Sequence, residues 1–134
     1  MREFTVHAAP QGQERPRFGA HAYTPAKTRE YEELVQWEYR AQVKDAPYPA
    51  RTPLTVKIEA VYPVPMSDSV RIRQAKLCGL LQPCKKPDTD NIAKAVLDAL
   101  NGVAYNDDAQ VVRLLVVKSY GTTGHVNIQI EEAV

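Results

Sequence analysis

The 134-residue chain has only two cysteines, Cys78 and Cys84, and its three histidines, His7, His21 and His125, are scattered. A closed structural zinc site needs four ligands in short paired spacings, and this set does not supply them. The two thiols are therefore expected to be reduced and structural, in keeping with a cytoplasmic protein. Long apolar runs are missing too. The opening MREFTVHAAPQGQERPRF lacks the apolar core of a signal peptide, and the stretch from Val111 to Val117 is interrupted by Arg113. The expectation is a soluble protein with no membrane segment. Internal repeats and low-complexity segments are absent, and the net charge is only +1. What is present is ordinary globular composition, at a length that suits one domain over residues 1–134 with a sizeable core.

A net charge near zero hides a sorted distribution. From Ser69 to Pro87 the chain carries Arg71, Arg73, Lys76, Lys85 and Lys86 with no acidic residue. An early loop adds Arg15, Arg17, Lys27 and Arg29 against the single Glu14. Such segments form either a solvated surface or a basic face for nucleic acid. The loop from Pro10 to Lys27 also interleaves Phe18 and Tyr23 with its arginines, a composition that suits phosphates and unstacked bases. Its alternative is a surface loop anchored by those two rings.

The periodicities give an α+β order of elements. Residues 2 to 8 read as a strand. Thr28 is a plausible cap for a helix from Arg29 to about Val43, with Tyr31, Leu34, Val35, Tyr39 and Gln42 near one face. Trp37 sits off that stripe; core packing is its ordinary reading and a second contact the alternative. Leu54 to Tyr62 alternates as a strand, and Ser67 or Ser69 caps a short helix ending at Gly79. A helix starts at Asp90, buries Ile92, Ala93, Val96, Leu97 and Leu100, and stops at Asn101 and Gly102. Val103 to Tyr105 reads as a short strand and Asn106–Asp107 as a turn. Gln110 to Tyr120 reads as a strand whose near-continuous apolar centre implies cover on both faces. His125 to Glu131 closes the chain as a further strand.

The chemistry concentrates in KKPDTDNIAKAVLDALN, residues 85–101, and in AYNDDAQVV just beyond it. Asp88 or Asp90 could cap the helix, and Asn106–Asp107 could be turn chemistry. Neither explains why Asp88, Asp90 and Asp108 should all stand at element boundaries with a lysine among them. Asp88 and Asp90 are alternate residues of an extended lead-in and can reach one site, and a returning chain can place Asp108 near them. Oxygen ligands without paired His or Cys select a hard cation, Mg²⁺ or Mn²⁺. Lys94 could offset charge on a phosphate, or could be one rung of a helix ion-pair ladder with Asp90 and Asp98.

KPDTDNIAKAVLDALNG followed by YNDDAQV resembles the RusA family of Holliday junction resolvases. RPRF and AYTPAKTREYE are similar to the basic loop and first helix of its phage and Gram-positive members. The resemblance implies a mixed β-sheet with packed helices, a homodimer acting on branched DNA, and Mg²⁺-dependent phosphodiester hydrolysis. It implies Asp88, Asp90 and Asp108 as metal ligands, with Asp107 beside Asp108 in the acidic pair, and Lys94 as the essential lysine. The link from helix to acidic pair, NGVAYNDD, is shorter than in the prototype. Arg15, Arg17, Lys27, Arg71, Arg73, Lys76, Lys85 and Lys86 become candidates for phosphate contacts. The rival readings are a nuclease for other branched DNA and a metal-binding recombination protein that binds junctions without cutting.

Overall fold

The computed structural model describes residues 1–13 and 26–134, together with the backbone of 17–18 and 22–23. Strands β1 (Arg2–Val6), β4 (Leu54–Pro63), β5 (Val111–Gly121) and β6 (His125–Glu132) form one mixed sheet in the order β1-β6-β4-β5. β6 pairs antiparallel with β1 and β4, and β5 pairs parallel with β4. Parallel neighbours need a long crossover, here supplied by helices α2 (Val70–Leu77) and α3 (Thr89–Leu100). Helix α1 (Ala26–Gln42) lies between β1 and β4 in sequence, preceded by the two-residue strands β2 (Arg17–Phe18) and β3 (Ala22–Tyr23) paired with each other.

The core follows from period-2 and period-3.6 patterning meeting on one face. In β4 every second residue is buried, Leu54, Val56, Ile58, Ala60 and Tyr62, in line with Val126, Ile128 and Ile130 of β6 and Phe4 and Val6 of β1. Tyr31, Val35 and Tyr39 of α1 join Ile92, Val96, Ala99 and Leu100 of α3 in the same cluster. No helix among the described residues is long and apolar enough to cross a membrane.

The sheet has two unlike edges. At β1, side chains of α1 close off the backbone: Gln42 accepts from the Thr5 N–H at 2.8 Å and donates to the Thr5 carbonyl at 2.8 Å. Glu38 accepts from the His7 N–H at 2.9 Å and bonds the His7 ring at 2.6 Å. Glu38 is buried. Burial pushes its carboxyl up, but the His7 and Gln42 hydrogen bonds prevail and hold it below the usual carboxylate range. At β5 the edge carries Val112, Leu114, Leu115 and Val117, all exposed, Val112 at 59% and Leu115 at 54%.

Several sequence expectations are corrected here. Val112 and Leu114 on one face of β5 and Leu115 and Val117 on the other are exposed, so its apolar centre is not covered on both faces within one chain. Thr28 does not cap α1; the helix already begins at Ala26 and Thr28 is buried inside its first turn. Trp37 is 65% exposed rather than packed in the core. Val103 and Ala104 form a turn held by bonds back to Leu100, and Tyr105 makes only an isolated bridge to Asn101, not a strand. The cap at Ser69 does form, its hydroxyl accepting from the Ile72 N–H at 3.3 Å, and α2 runs to Leu77 with Cys78 as its C-cap and Gly79, at φ +87°, turning the chain away. Cys78 and Cys84 are exposed free thiols.

Candidate metal and nucleic-acid site

Helix α3 organises the acidic residues because its two ends hold different ones. At its start Asp88 occupies the cap position, with φ −70° and ψ 157°, yet its side chain makes no capping hydrogen bond. Only its carbonyl works for the helix, accepting from the Ile92 N–H at 3.0 Å. Asp90 follows in the first turn, and both residues are exposed. A cleft of about 250 Å³ runs between Thr89, Asp90 and Ala93 on α3 and Leu114 and Val116 on β5.

At the other end Asn101 terminates α3, and its side-chain oxygen accepts from the Asp108 N–H at 2.8 Å. Asp107 caps a single 3-10 turn, Asp108–Gln110, accepting from the Ala109 N–H at 3.3 Å. Gln110, buried, accepts from the N–H groups of Asn106 and Asp107 and donates to the carbonyls of Pro49 and Thr52 at 3.0 Å. Tyr105, fully buried, donates to the Leu97 carbonyl at 2.7 Å and pins the returning chain to α3. Turn chemistry is thus the role of Asp107, and Asp108 is left beside it. Burial, then the hydrogen bond and charge of Asp107, then the charge of Asp98 push the Asp108 carboxyl up, against a smaller pull from Asn101.

The twelve residues of α3 span about 18 Å at 1.5 Å each. Asp108 makes its contacts at the C-terminal end of that span, with Asn101 and Asp98, whereas Asp88 and Asp90 stand at the start. Among the described residues no three His, Cys, Asp or Glu side chains stand close enough to share an ion. Lys94 pairs with Asp98 at 3.3 Å, the ladder arrangement, with its side chain still 62% exposed.

The basic residues divide into groups. Lys76 is tied to Asp68 at 2.6 Å, Arg71 is exposed, and the half-buried Arg73 has a buried Nε with no partner. Lys85 lies 5.4 Å from the Tyr62 ring centroid and 5.7 Å from that of Tyr120. Lys118, from β5, lies 5.4 Å from Tyr62 and donates to the Lys85 carbonyl. Lys76 joins them 4.9 Å from Tyr120. Three ammonium groups thus sit over two edge-on tyrosines, held by cation–π attraction. Tyr62 donates to the Pro87 carbonyl at 3.1 Å, next to Asp88, whose charge, after burial, helps raise the Tyr62 phenol. Lys118 escaped sequence reading because one lysine in an apolar strand carries no motif; only the parallel register beside β4 brings it to Lys85. Lys27 and Lys86 are exposed and line a separate cavity. Arg15 lies outside the described residues, as does the side chain of Arg17.

The arrangement offers, at the start of α3, exposed carboxylates with no hydrogen bond or ion pair among the described residues, ammonium groups beside them, and an electronegative turn at the far end. Comparison with known proteins gives this a family. A Bacillus subtilis (strain 168) protein named "Uncharacterized protein YqaN" is 34% identical over 135 residues, spanning 97% of this chain and 95% of the relative. The family model described as "Endodeoxyribonuclease RusA" matches residues 7–131, nearly the whole chain, and the protein belongs to the RusA endodeoxyribonuclease family.

Proposed function

We propose that this protein is a structure-selective endodeoxyribonuclease that resolves Holliday junctions by paired strand cleavage in DNA recombination and repair. One observation carries the reading within a nuclease family: Asp88 stands at the cap of α3 without capping, and Asp90 is exposed one turn-step away. The donors fit a hard cation, since they are all carboxylate oxygens and since Asp107 and Asp98 crowd Asp108 with like charge that a cation would relieve. Asp88, Asp90 and Asp108 would hold Mg²⁺, or Mn²⁺ in its place, the ion being one that takes few protein carboxylates together with substrate phosphate. When bound, it supplies an activated water and neutralises charge on the scissile phosphate. Lys94, on the same exposed face, offsets phosphate charge, and Lys76, Lys85 and Lys118 hold the neighbouring backbone.

The working unit is a homodimer, as two matched cuts in a symmetric junction require. Its support is the β5 edge, unpaired and apolar on both faces where the β1 edge is closed by Glu38 and Gln42. An antiparallel twofold neighbour at β5 also reverses α3. That would bring the Asp108 end of one copy toward the Asp88 end of the other, so that Asp108 of the partner subunit completes a set whose members one chain places at opposite ends of α3.

The experiment is cleavage of a synthetic four-way junction, with a linear duplex and a flapped duplex as controls. Paired cuts are expected in Mg²⁺ and none in EDTA, with Asp90→Asn inactive but still binding the junction. Preference for the flap would support the branched-DNA rival. Binding without cutting in either Mg²⁺ or Mn²⁺ would sink the nuclease reading.

A further inference from the structure

Resting on that reading of the substrate as DNA, we infer that Arg51 is a further DNA-binding residue, holding a sugar–phosphate unit of the strand in the cavity between its own turn and the turn of the acidic pair. That cavity is about 560 Å³, within the range of ligand sites, and Arg51, Ala50, Pro53, Asp107, Ala109 and Val112 are among its walls. Asp108 is the residue after Asp107, so the cavity adjoins the proposed metal site from the far end of α3. It is separate from the lysines over Tyr62 and Tyr120, since Val112 and Lys118 are six residues apart on β5, about 20 Å at 3.3 Å each.

Arg51 breaks a local rule. The Thr52 N–H donates to the Pro49 carbonyl at 3.3 Å and closes a four-residue turn in which Arg51 is third. Its φ is +69°, in the left-handed region where such turns take glycine or asparagine. Among the described residues it is the one non-glycine residue at positive φ. A Cβ makes that conformation unfavourable, and residues held in it cluster at ligand clamps and active sites. The turn cannot relax easily, because the buried Gln110 donates to the carbonyls of Pro49 and Thr52 at 3.0 Å and accepts from the N–H groups of Asn106 and Asp107. One side chain thus fixes the turn of Arg51 to that of the acidic pair. Arg51 is exposed and makes no ion pair among the described residues, even with Asp107 of the same cavity, whose carboxylate accepts from the Ala109 N–H. The cavity therefore presents an unpaired guanidinium beside the apolar surfaces of Ala50, Pro53, Ala109 and Val112. A backbone phosphate answers the first and its deoxyribose the second, whereas a free inorganic anion would leave the apolar wall uncovered.

The test is fluorescence anisotropy of a labelled four-way junction in EDTA, where no cutting occurs, over a series of salt concentrations. Arg51→Gly and Arg51→Asn both suit the positive φ and should melt no lower than wild type. Each is expected to lower the slope of log affinity against log salt by about one, and to weaken binding about eight-fold at about 0.1 M salt, the loss of one neutralised phosphate. Arg51→Lys keeps the charge and should keep the slope. An unchanged slope in Arg51→Gly and Arg51→Asn makes Arg51 a turn residue only and overturns the inference, even in a protein that cuts junctions. A lowered slope in a protein that cuts nothing upholds the inference and overturns the nuclease reading instead. Failure of the wild-type protein to bind the junction overturns both.

Discussion

The two ends of α3 carry the same residue type in opposite conditions. At the start, Asp88 and Asp90 are exposed, and the Asp88 side chain makes no capping bond. At the far end, Asp107 is committed to capping a turn and Asp108 is crowded by Asp107 and Asp98. A carboxylate near a helix terminus is therefore not one kind of feature. Whether its oxygen is already bonded decides if it is available for chemistry, and position in the sequence does not report this. The helix between them is a rigid spacer, and in the function proposed above a second copy would bring its two ends together.

The largest effect tests that arrangement. Asp90→Asn and Asp108→Asn should each lower junction cleavage by about a thousand-fold, since each removes a charged group acting on the reacting phosphate. If each site draws Asp90 from one subunit and Asp108 from its partner, a heterodimer of the two variants has one doubly damaged site and one intact site. An equal mixture, refolded together, should then recover about a quarter of the wild-type sites by random pairing, read as single-strand nicking. Should each site lie within one chain, every site in the mixture remains damaged and no nicking returns.

Next in size is the proposed interface at β5. Leu115 is 54% exposed in the single chain, so Leu115→Arg should leave the circular dichroism and melting curve of the fold nearly unchanged, within about 0.5 kcal/mol. It should convert the protein to monomer in sedimentation and abolish cleavage and Mn²⁺ binding. A Leu115→Arg dimer that still cuts would place the subunit contact elsewhere.

These contrasts also show how much the chain discloses before it is folded. The alternation of Leu54 to Tyr62 and the 3.6-residue spacing from Ile92 to Leu100 were legible, because a one-sided core imposes its period directly. β5 was misread because an apolar run reports that cover is needed but not which chain provides it. Glu38 gave no signal: a charge on a helix reads as solvated until β1 brings the His7 N–H to it. Thr28 matched a cap by residue type, although the helix begins two residues before it. The acidic residues stand out in the sequence, whereas the placing of Asp107 and Asp108 at the far end of α3 depends on the turn that Asn101, Tyr105 and Gln110 hold in place.

A smaller effect separates the two members of the acidic pair. Asp107→Ala removes a capping oxygen and should destabilise the protein by about 1 kcal/mol in urea unfolding, with cleavage retained in good part if, as proposed, the ligand is its neighbour Asp108. Asp108→Asn should do the reverse, removing activity and sparing stability. If Asp107→Ala proves as inactive as Asp108→Asn at a temperature where both are folded, the capping residue is also a ligand and the contrast within the pair fails.

The smallest expected effect is thermal, and its sign is fixed by the crowding at Asp108. Burial and the neighbouring carboxylates raise its folded-state pKa above the value of about 3.9 of an unfolded aspartate. The fold therefore holds the Asp108 proton more tightly than the unfolded chain does. The resulting stabilisation is fully present below the unfolded pKa and is lost as pH rises through the raised folded value. Above that range the ionised carboxylate repels Asp107 and Asp98. In metal-free buffer at neutral pH, Asp108→Asn should accordingly melt slightly higher than wild type, and the gap should close as the pH is lowered into the carboxylate range. On the proposed metal site, Mg²⁺ should raise the wild-type melting temperature and leave that of the variant nearly unmoved, because an ion that binds only the folded state stabilises it. A variant that melts lower than wild type throughout would mean that Asp108 serves the turn as Asp107 does, and the two ends of α3 would then differ less than their hydrogen bonds imply.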